Sequence, residues 1–244
     1  MGEVSVQLYS VRDEFAADPA GTLQRLAAIG FTRVEPYGVV QNVEALTAGL
    51  PACGLTAPTA HAQLIGVDQA AVFGAAKQLG IGVVIDPLVK PEQWSDPADI
   101  AATAAALNAA AKLAAEHGVT VGYHNHWWEL ESRIGGRSAF EVFAEQLDPQ
   151  VVLEVDTYWA TAGGENAAEL LGRLGDRVRA IHVKDGALAT DASGQVPAGQ
   201  GRVPLPDVLA AAPDALRVVE FDRYDGDIFE AIAASFAYLA DTAK

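Results

Sequence analysis

Short apolar segments rich in valine and isoleucine alternate along the chain with longer segments in which alanine and leucine recur at helical spacing. The apolar segments predict eight β-strands, at Val4–Tyr9, Thr32–Glu35, Leu55–His61, Gly82–Asp86, Thr120–Asn125, Val151–Asp156, Val178–Lys184 and Leu216–Phe221. The remaining segments predict helices at Pro19–Gly30, Val43–Ala52, Asp68–Leu79, Pro97–His117, Ser138–Gln146, Asn166–Leu174, Pro206–Ala211 and Ile228–Leu239. The third strand is interrupted by Pro58, which lacks a backbone donor.

This alternation predicts a parallel sheet with right-handed crossovers. Eight units that begin with a strand and end with a helix favour a closed (β/α)8 barrel, formed by residues 1–244 as a single domain. An open doubly wound sheet is the alternative. It is disfavoured because the first strand continues as YSVRDEF, without the glycine-rich loop of a dinucleotide site.

Composition narrows the range of partners. The chain has 244 residues, and 32 acidic against 16 basic side chains give it a formal net charge of −16. Nucleic acid is therefore an unlikely partner class, because its binders need a basic surface. No apolar run approaches the roughly 18 residues of a membrane span, and the one cysteine, Cys53, requires no oxidising compartment. We expect a cytoplasmic monomer or homodimer with a small-molecule partner.

Ionisable side chains stand at the ends of seven consecutive predicted strands, the second to the eighth. They are Glu35, His61, Asp86, His124, Asp156, His182 and Glu220. The carboxyl ends of the strands carry the active site in (β/α)8 barrels. Chance placement would account for one or two of these residues, so the pattern predicts a functional site at this end.

Four of these residues, from the fifth to the eighth strand, can reach one ion: His124, Asp156, His182 and Glu220. Mixed imidazole and carboxylate ligands suit Mn²⁺, Co²⁺, Fe²⁺ or Zn²⁺ better than Mg²⁺ or Ca²⁺. Glu154 points to the same side of its strand as Asp156, so it is a candidate to orient the ligands from below. A buried ionic network without a metal is the alternative.

The tryptophans also follow strands, at Trp94, Trp127, Trp128 and Trp159. Aromatic rings stack on the apolar faces of sugars and shield a pocket from water. Trp159, three residues past Asp156, is the strongest candidate for this role. Packing of these rings on the barrel rim is the alternative.

Two further features lie beyond the seventh strand. Lys184 could bind an anionic group or polarise a substrate oxygen, or it could form a salt bridge with Asp185 or Glu154. The segment GQGRVP, at Gly199–Pro204, could close over the pocket or bind an anion through its backbone, or it could be a simple turn.

Several segments together resemble the xylose-isomerase-like TIM-barrel superfamily, and more closely its bacterial sugar phosphate isomerase/epimerase branch. They are QLYSVRDE, VEPYG, YHNHWWEL, LEVDTYWATAGG, IHVKD, GQGRVP and VVEFD, and they extend from the first strand to the last. The resemblance implies a divalent metal, often manganese, held by Glu, Asp, His and Glu. Asp156, His182 and Glu220 match the last three ligands, whereas His124 replaces the first glutamate.

The resemblance also implies a sugar isomerase or epimerase that removes a proton next to a carbonyl group through a metal-stabilised enediolate. In ketose epimerases of the superfamily two glutamates exchange the proton, so the replacement leaves Glu220 as the base. His126 or Glu35 would return the proton and Lys184 would assist on an oxygen. The sugar would be bound by His61, Trp127, Trp159 and Trp94.

Other functions share parts of this site. A dehydratase or lyase acting on a keto-sugar or inositol derivative has the same first step, and His124 in place of glutamate favours it. A non-catalytic sugar-binding barrel would have lost a ligand, yet all four positions are filled. The apurinic-site endonucleases of the superfamily need a DNA-binding surface, which the net charge of −16 disfavours.

Overall fold

Seven parallel strands form one curved sheet in the computed structural model, which describes residues 3–242. They are β1 (Val4–Val6), β2 (Thr59–His61), β3 (Val83–Asp86), β4 (Thr120–His124), β7 (Val152–Asp156), β8 (Val178–Val183) and β11 (Leu216–Val219). Their order across the sheet is β1-β11-β8-β7-β4-β3-β2. Two short antiparallel pairs lie outside it: β5 (Arg133–Ile134) with β6 (Arg137–Ser138), and β9 (Asp185–Gly186) with β10 (Gln195–Val196).

Residues 33–37 occupy the eighth position, between β1 and β2. They pair through single bridges, Gln7 with Glu35 and Tyr37 with His61, rather than through a continuous ladder. The predicted strand at 32–35 is therefore reduced to bridges, and the strand predicted to begin at Leu55 begins at Thr59. Pro36 and Pro58 explain both differences, because proline cannot donate to a ladder. The segment completes the eightfold repeat, and the (β/α)8 prediction is confirmed.

Eleven helices surround the sheet in the described part of the chain. They are α1 (Arg12–Ala17), α2 (Pro19–Ile29), α3 (Val43–Ala52), α4 (Gln69–Leu79), α5 (Pro97–Glu116), α6 (Trp128–Glu131), α7 (Ala139–Gln146), α8 (Thr157–Ala162), α9 (Ala167–Leu174), α10 (Leu205–Ala211) and α11 (Ile228–Asp241). The eight predicted helices are all present, whereas the short α1, α6 and α8 were not predicted. Within residues 3–242 no helix is long and apolar enough to cross a membrane.

Acidic and small polar residues begin most of the outer helices. The side chains of Asp18, Asp68, Asp96, Ser138, Asn166 and Asp227 each accept a hydrogen bond from a backbone N–H in the first turn. These caps satisfy donors that a helix leaves unpaired. Part of the acidic excess of the chain therefore stabilises helix starts.

The strands divide their side chains between two environments. In β8, Ile181 and Val183 belong to the main hydrophobic core between strands and helices, whereas His182 lies between them in sequence and points to the barrel interior. Asp156 is opposite His182 in the neighbouring β7. Polar residues thus gather inside the barrel at its carboxyl end without interrupting the core.

Asp185 holds the long loop after β8 in place. Its buried carboxylate accepts hydrogen bonds from the backbone N–H groups of Gly186, Gly199, Gly201 and Val203, at 2.9–3.0 Å. Gly201 lies so close to Asp185 that no side chain would fit there. The GQGRVP amides therefore bind an internal carboxylate, and they do not form the anion site considered from the sequence.

We expect the Asp185→Asn variant to loosen this loop, because an amide nitrogen cannot accept the bonds that one carboxylate oxygen takes from Gly199 and Gly201. The loss should be about 1–3 kcal/mol of unfolding free energy, with faster proteolysis between residues 187 and 202. Thermal unfolding and limited proteolysis measure both effects. Asp191→Asn, at an exposed turn of the same loop, is the control. Equal behaviour of the two variants would contradict this role of Asp185.

Candidate metal centre

Buried ionisable side chains from six barrel positions meet at the carboxyl ends of the strands. They are Glu35, His61, His124, Glu154, Asp156, His182, Lys184 and Glu220, and none is more than 7% exposed. We divide them into an inner cluster (Glu35, His61, His124, Glu154 and His182) and an outer cluster (His124, Asp156, His182 and Glu220). The two clusters share His124 and His182. A metal ion could be held by the outer cluster, or by the inner one without Glu35.

The inner cluster is built around one oxygen of Glu154. This Oε1 lies 2.6 Å from Nε2 of His61, 2.9 Å from Nε2 of His182 and 3.2 Å from Nδ1 of His124. Nε2 of His182 is also 2.8 Å from Oε1 of Glu35. Glu154 thus orients both shared histidines from one layer below Asp156, in the position considered from the sequence.

The outer cluster contains the four residues that the sequence placed at one ion. Oε2 of Glu220 is 2.6 Å from Nδ1 of His182, and Oδ2 of Asp156 is 3.8 Å from Nε2 of His124 and 4.0 Å from Nδ1 of His182. One ligand atom from each residue lies within 4.8 Å of all the others. Each shared histidine therefore directs one nitrogen to Glu154 and the other to the outer cluster.

Lys184 is paired with three carboxylates above the outer cluster. Its Nζ lies 2.8 Å from Asp156 Oδ2, 2.6 Å from Glu220 Oε2 and 2.8 Å from Asp222 Oδ2. The salt bridge considered with Asp185 or Glu154 is therefore wrong. Asp222 was not singled out from the sequence, although it stands two residues past Glu220 and could have been found by strand alternation.

The environment sets the charges of these groups. Burial, aided by the charge of His182, lowers the pKa of His124 to about 3, so this imidazole is neutral, as a metal ligand must be. Burial raises the pKa of Asp156 to about 6. Burial also opposes ionisation of Glu220, but Lys184 and His182 beside it hold the pKa of Glu220 well below its usual range.

The residues present fit a divalent metal ion. Four carboxylates are buried here: Lys184 contacts Asp156 and Glu220, whereas Glu35 and Glu154 contact histidines. Oδ2 of Asp156 is buried and makes no hydrogen bond of normal geometry, although Lys184 is near. Buried negative charge without a partner is costly, so bound positive charge would stabilise this cluster.

A cavity of about 650 Å³ opens directly above the clusters. Its floor contains His61, His124, His126, Glu220 and Asp222. Tyr9, Tyr37, Val40, Val67 and Leu88 are among the residues of its walls and mouth. Glu220, His126 and His61 therefore reach the space where a substrate would lie, as expected for a base, a proton carrier and a sugar contact.

Two of the residues predicted to meet the substrate are out of its reach. Glu35 is fully buried below the cavity, where its carboxylate accepts hydrogen bonds from Gln7, Thr59 and His182. Trp94 is fully buried in the hydrophobic core, and its Nε1 donates to the carbonyl of Val89. Neither side chain lines the cavity, so the structure does not bring Glu35 or Trp94 to the place of a substrate, and their roles in proton transfer and sugar contact stay predictions.

Trp127 and Trp159 also lie outside the cavity lining. Trp159 is 4% exposed, and Nζ of Lys184 lies 5.3 Å from the centre of its ring. Trp127 is half-buried and meets Trp128 edge to face at 5.6 Å. Both rings support the site from outside the cavity, and their stacking on a sugar stays a prediction.

His126 is held by Trp128 and by two residues that the sequence did not single out, Glu129 and Tyr123. Its ring stacks on Trp128 with centroids 4.4 Å apart and planes 5° apart. Its backbone N–H donates to Glu129, whose other oxygen accepts from the Tyr123 hydroxyl at 2.8 Å. Burial lowers the pKa of His126 well below its usual range, so this ring is neutral and able to accept a proton.

The fold and the clusters define a TIM barrel whose buried histidines and carboxylates could bind a metal ion at the end that carries catalysis. The chain belongs to the xylose isomerase-like TIM barrel family, because the sequence model of this family matches residues 33–215. A comparison with curated protein sequences finds no match.

Solved structures share this fold over nearly their whole length. A sugar phosphate isomerase/epimerase from Parabacteroides distasonis has a TM-score of 0.86 at 21% identity, over 100% of this chain and 96% of that one. A probable 3-DHS dehydratase from Bacillus anthracis has a TM-score of 0.78 at 14% identity, over 98% of each chain. A xylose isomerase-like protein from Mycobacterium smegmatis, in complex with magnesium, has a TM-score of 0.75 at 15% identity, over 99% and 96%.

We expect the Glu129→Gln variant to be more stable than the wild type at neutral and basic pH. Burial raises the pKa of Glu129 from 4.5 to about 8. Between these values the folded state keeps a proton that the unfolded state has released, so stability falls as pH rises. The stability of the Glu129→Gln variant does not fall in this way. Its amide can still accept from the backbone N–H of His126 and donate to the hydroxyl of Tyr123.

Chemical denaturation at several pH values between 5 and 8 measures the effect. The stability difference between variant and wild type should grow by up to roughly 1.4 kcal/mol per pH unit. Glu131→Gln, an exposed position of the same helix, is the matched control and should show no such growth. A pH-independent difference for Glu129→Gln would contradict the assignment.

Proposed function

We propose that this protein is a divalent-metal-dependent sugar isomerase or epimerase that removes a proton from the carbon next to a carbonyl group. The observation that carries the proposal is the position of the outer cluster, buried and directly under the cavity. A structural ion network would need no such cavity above it. The likeness in fold to a sugar phosphate isomerase/epimerase supports the same class.

His124, Asp156, His182 and Glu220 would hold the ion. When bound, it would supply positive charge that polarises a substrate carbonyl and an adjacent hydroxyl. Manganese is our first choice, and cobalt, iron and zinc suit the same donors. Glu154 keeps the two histidines in the required orientation, because its Oε1 contacts the nitrogen of each ring that faces away from the outer cluster.

Glu220 is the proposed base. It is ionised, it lines the cavity, and the Lys184 ammonium at 2.6 Å from its Oε2 fixes its position. His126, a neutral imidazole in the same floor, is the proposed proton carrier: it would take a proton from a substrate hydroxyl and return it to another oxygen of the same molecule. Lys184 is buried and contacts Glu220 and Asp222, so it acts on the carboxylates of the floor.

The substrate we propose is an unphosphorylated sugar. Among residues 3–242, no arginine or lysine lines the cavity, whereas Asp68, Glu220 and Asp222 do. A phosphate group would meet carboxylates at short range without a guanidinium or ammonium to pair with it. Hydroxyl groups, by contrast, can donate to carboxylates and imidazoles alike.

A metal-dependent dehydratase or lyase on a keto-sugar or inositol derivative is the second candidate. The cavity floor offers two carboxylates, and both contact Lys184, but Asp222 lies outside the outer cluster and also accepts a hydrogen bond from Gln195. Glu220 is therefore the one carboxylate placed for proton removal. Elimination needs one such base, whereas two-base epimerisation needs a second. The similarity in fold to a probable dehydratase is consistent with this alternative.

We expect the purified protein to contain about one Mn, Co, Fe or Zn ion per chain, measured by inductively coupled plasma mass spectrometry. Asp156→Asn and His182→Ala should each reduce the content at least ten-fold, because they remove a ligand. Added Mn²⁺ should raise the unfolding temperature of the wild type but not of these two variants. Asp207→Asn on exposed helix α10 is the control. A wild type that stays metal-free after incubation with Mn²⁺ would contradict the proposal.

Proton removal can be followed in D₂O with a panel of unphosphorylated ketoses and aldoses. The wild type should exchange the hydrogen next to the carbonyl, and Glu220→Gln should exchange it about 100-fold more slowly, with metal content measured alongside. Isomerisation returns deuterium to the sugar, whereas elimination releases water or an alcohol. His126→Asn should retain exchange but lose product if His126 returns the proton. No exchange with any sugar would contradict both reactions.

A further inference from the structure

Exposed large hydrophobic side chains are concentrated at the mouth of the cavity. Within residues 3–242 they are Tyr9, Val40, Ile65, Val67 and Leu88, each 36–42% exposed. Four of them line the cavity, and Ile65 lies in the loop that also carries Val67. A cluster of exposed apolar side chains at a single place indicates a binding surface rather than ordinary surface composition.

This apolar mouth is held in a fixed shape. Asp86 is buried and accepts hydrogen bonds from the backbone N–H groups of Leu64, Ile65 and Leu88, at 2.8–3.3 Å. Asp86 is thus the one residue of the predicted strand-end series that contributes to neither cluster. Its carboxylate instead joins the two loops that carry one side of the mouth.

The opposite side is held by aromatic contacts. The rings of Tyr9 and Tyr37 meet edge to face, with centroids 5.5 Å apart and planes at 86°. The guanidinium of Arg12 lies 4.5 Å from the centre of the Tyr9 ring, and its Nη1 donates to the Tyr9 carbonyl. Side chains that are ordered before binding lose little entropy when a ligand arrives.

We propose that the substrate is a keto-sugar joined to an apolar group, such as an aryl or alkyl glycoside that carries a ketone on its sugar ring. The sugar would lie on the polar floor and the apolar group against Tyr9, Val67 and Leu88. The inference rests on the proposed function for the sugar end of the ligand. The cavity of about 650 Å³ extends from floor to mouth, so one ligand can contact both regions.

A protein partner is a weaker explanation of the same surface. Stable interfaces bury about 800 Å² on each partner, far more than five side chains that are each less than half exposed can offer. The apolar residues also surround a concave opening above the chemistry, which is typical of a small-molecule site.

Isothermal titration calorimetry with matched methyl and phenyl β-glycosides of glucose, galactose and xylose tests the proposal on the metal-loaded protein. In at least one pair the phenyl glycoside should bind roughly ten-fold more tightly, from the apolar area it buries. The double variant Val67→Gln, Leu88→Gln should lose the preference for the phenyl glycoside, and Leu88→Met should keep it. Ala101→Gln, exposed on helix α5 and distant from the cavity, is the control.

Three results would overturn the proposal. One is equal affinity within every pair, and another is a phenyl preference that survives the Val67→Gln, Leu88→Gln change. The third is a homodimer in size-exclusion chromatography that this double change converts to a monomer. Phenol tests the apolar mouth separately from the proposed sugar function. If phenol binds as tightly as the phenyl glycosides, the mouth is an apolar site but the proposed sugar function fails.

Discussion

Three imidazole rings converge on one oxygen of Glu154, and the rest of the site depends on this contact. A buried carboxylate is costly unless charged or polar donors surround it. Burial acts to raise the pKa of Glu154, but His182 and His61 hold that pKa well below its usual range, so the group is ionised. Because His124 and His182 each use one nitrogen on Glu154, their second nitrogens are directed to Asp156 and Glu220. The outer cluster is therefore positioned from below.

The charges of the outer cluster balance if it holds a divalent ion. Asp156 and Glu220 supply two negative charges, and the histidine at position 124, neutral at its lowered pKa, adds none. A glutamate there, as the family resemblance implies for relatives, would add a third. The ammonium of Lys184 is matched by Asp222, which is partly exposed and bound by Gln195. With His124 in place of a glutamate, the ligands therefore need no positive charge beyond the ion, and Lys184 is matched by Asp222 outside the ligand set.

Much of the fold and part of the site could be predicted from the sequence. Strand alternation placed His124, Asp156, His182 and Glu220 at neighbouring strand ends and Glu154 below them, because a regular strand fixes the direction of each side chain. Glu35 was expected beside the substrate, but its carboxylate lies below the cavity, in contact with Gln7, Thr59 and His182. Trp94 could not be placed because its position depends on the path of a loop, which no period in the sequence records. Asp222 was within reach of strand alternation, two residues past Glu220, whereas Glu129 lies in a short loop helix that no period in the sequence records.

The reaction that follows proton removal depends on which group faces the opposite side of the substrate. Epimerisation needs a second acid there, and the floor offers His126, whose ring is fixed by Trp128 and whose backbone is held by Glu129. An imidazole that is neutral in the free protein must first take a proton from a substrate hydroxyl, and it can then return that proton to another oxygen of the substrate or pass it to a departing oxygen. An apolar group bound at the mouth through a glycosidic oxygen would place such an oxygen between floor and rim. Isomerisation and elimination therefore differ in this site by the position of the ligand rather than by an additional protein residue.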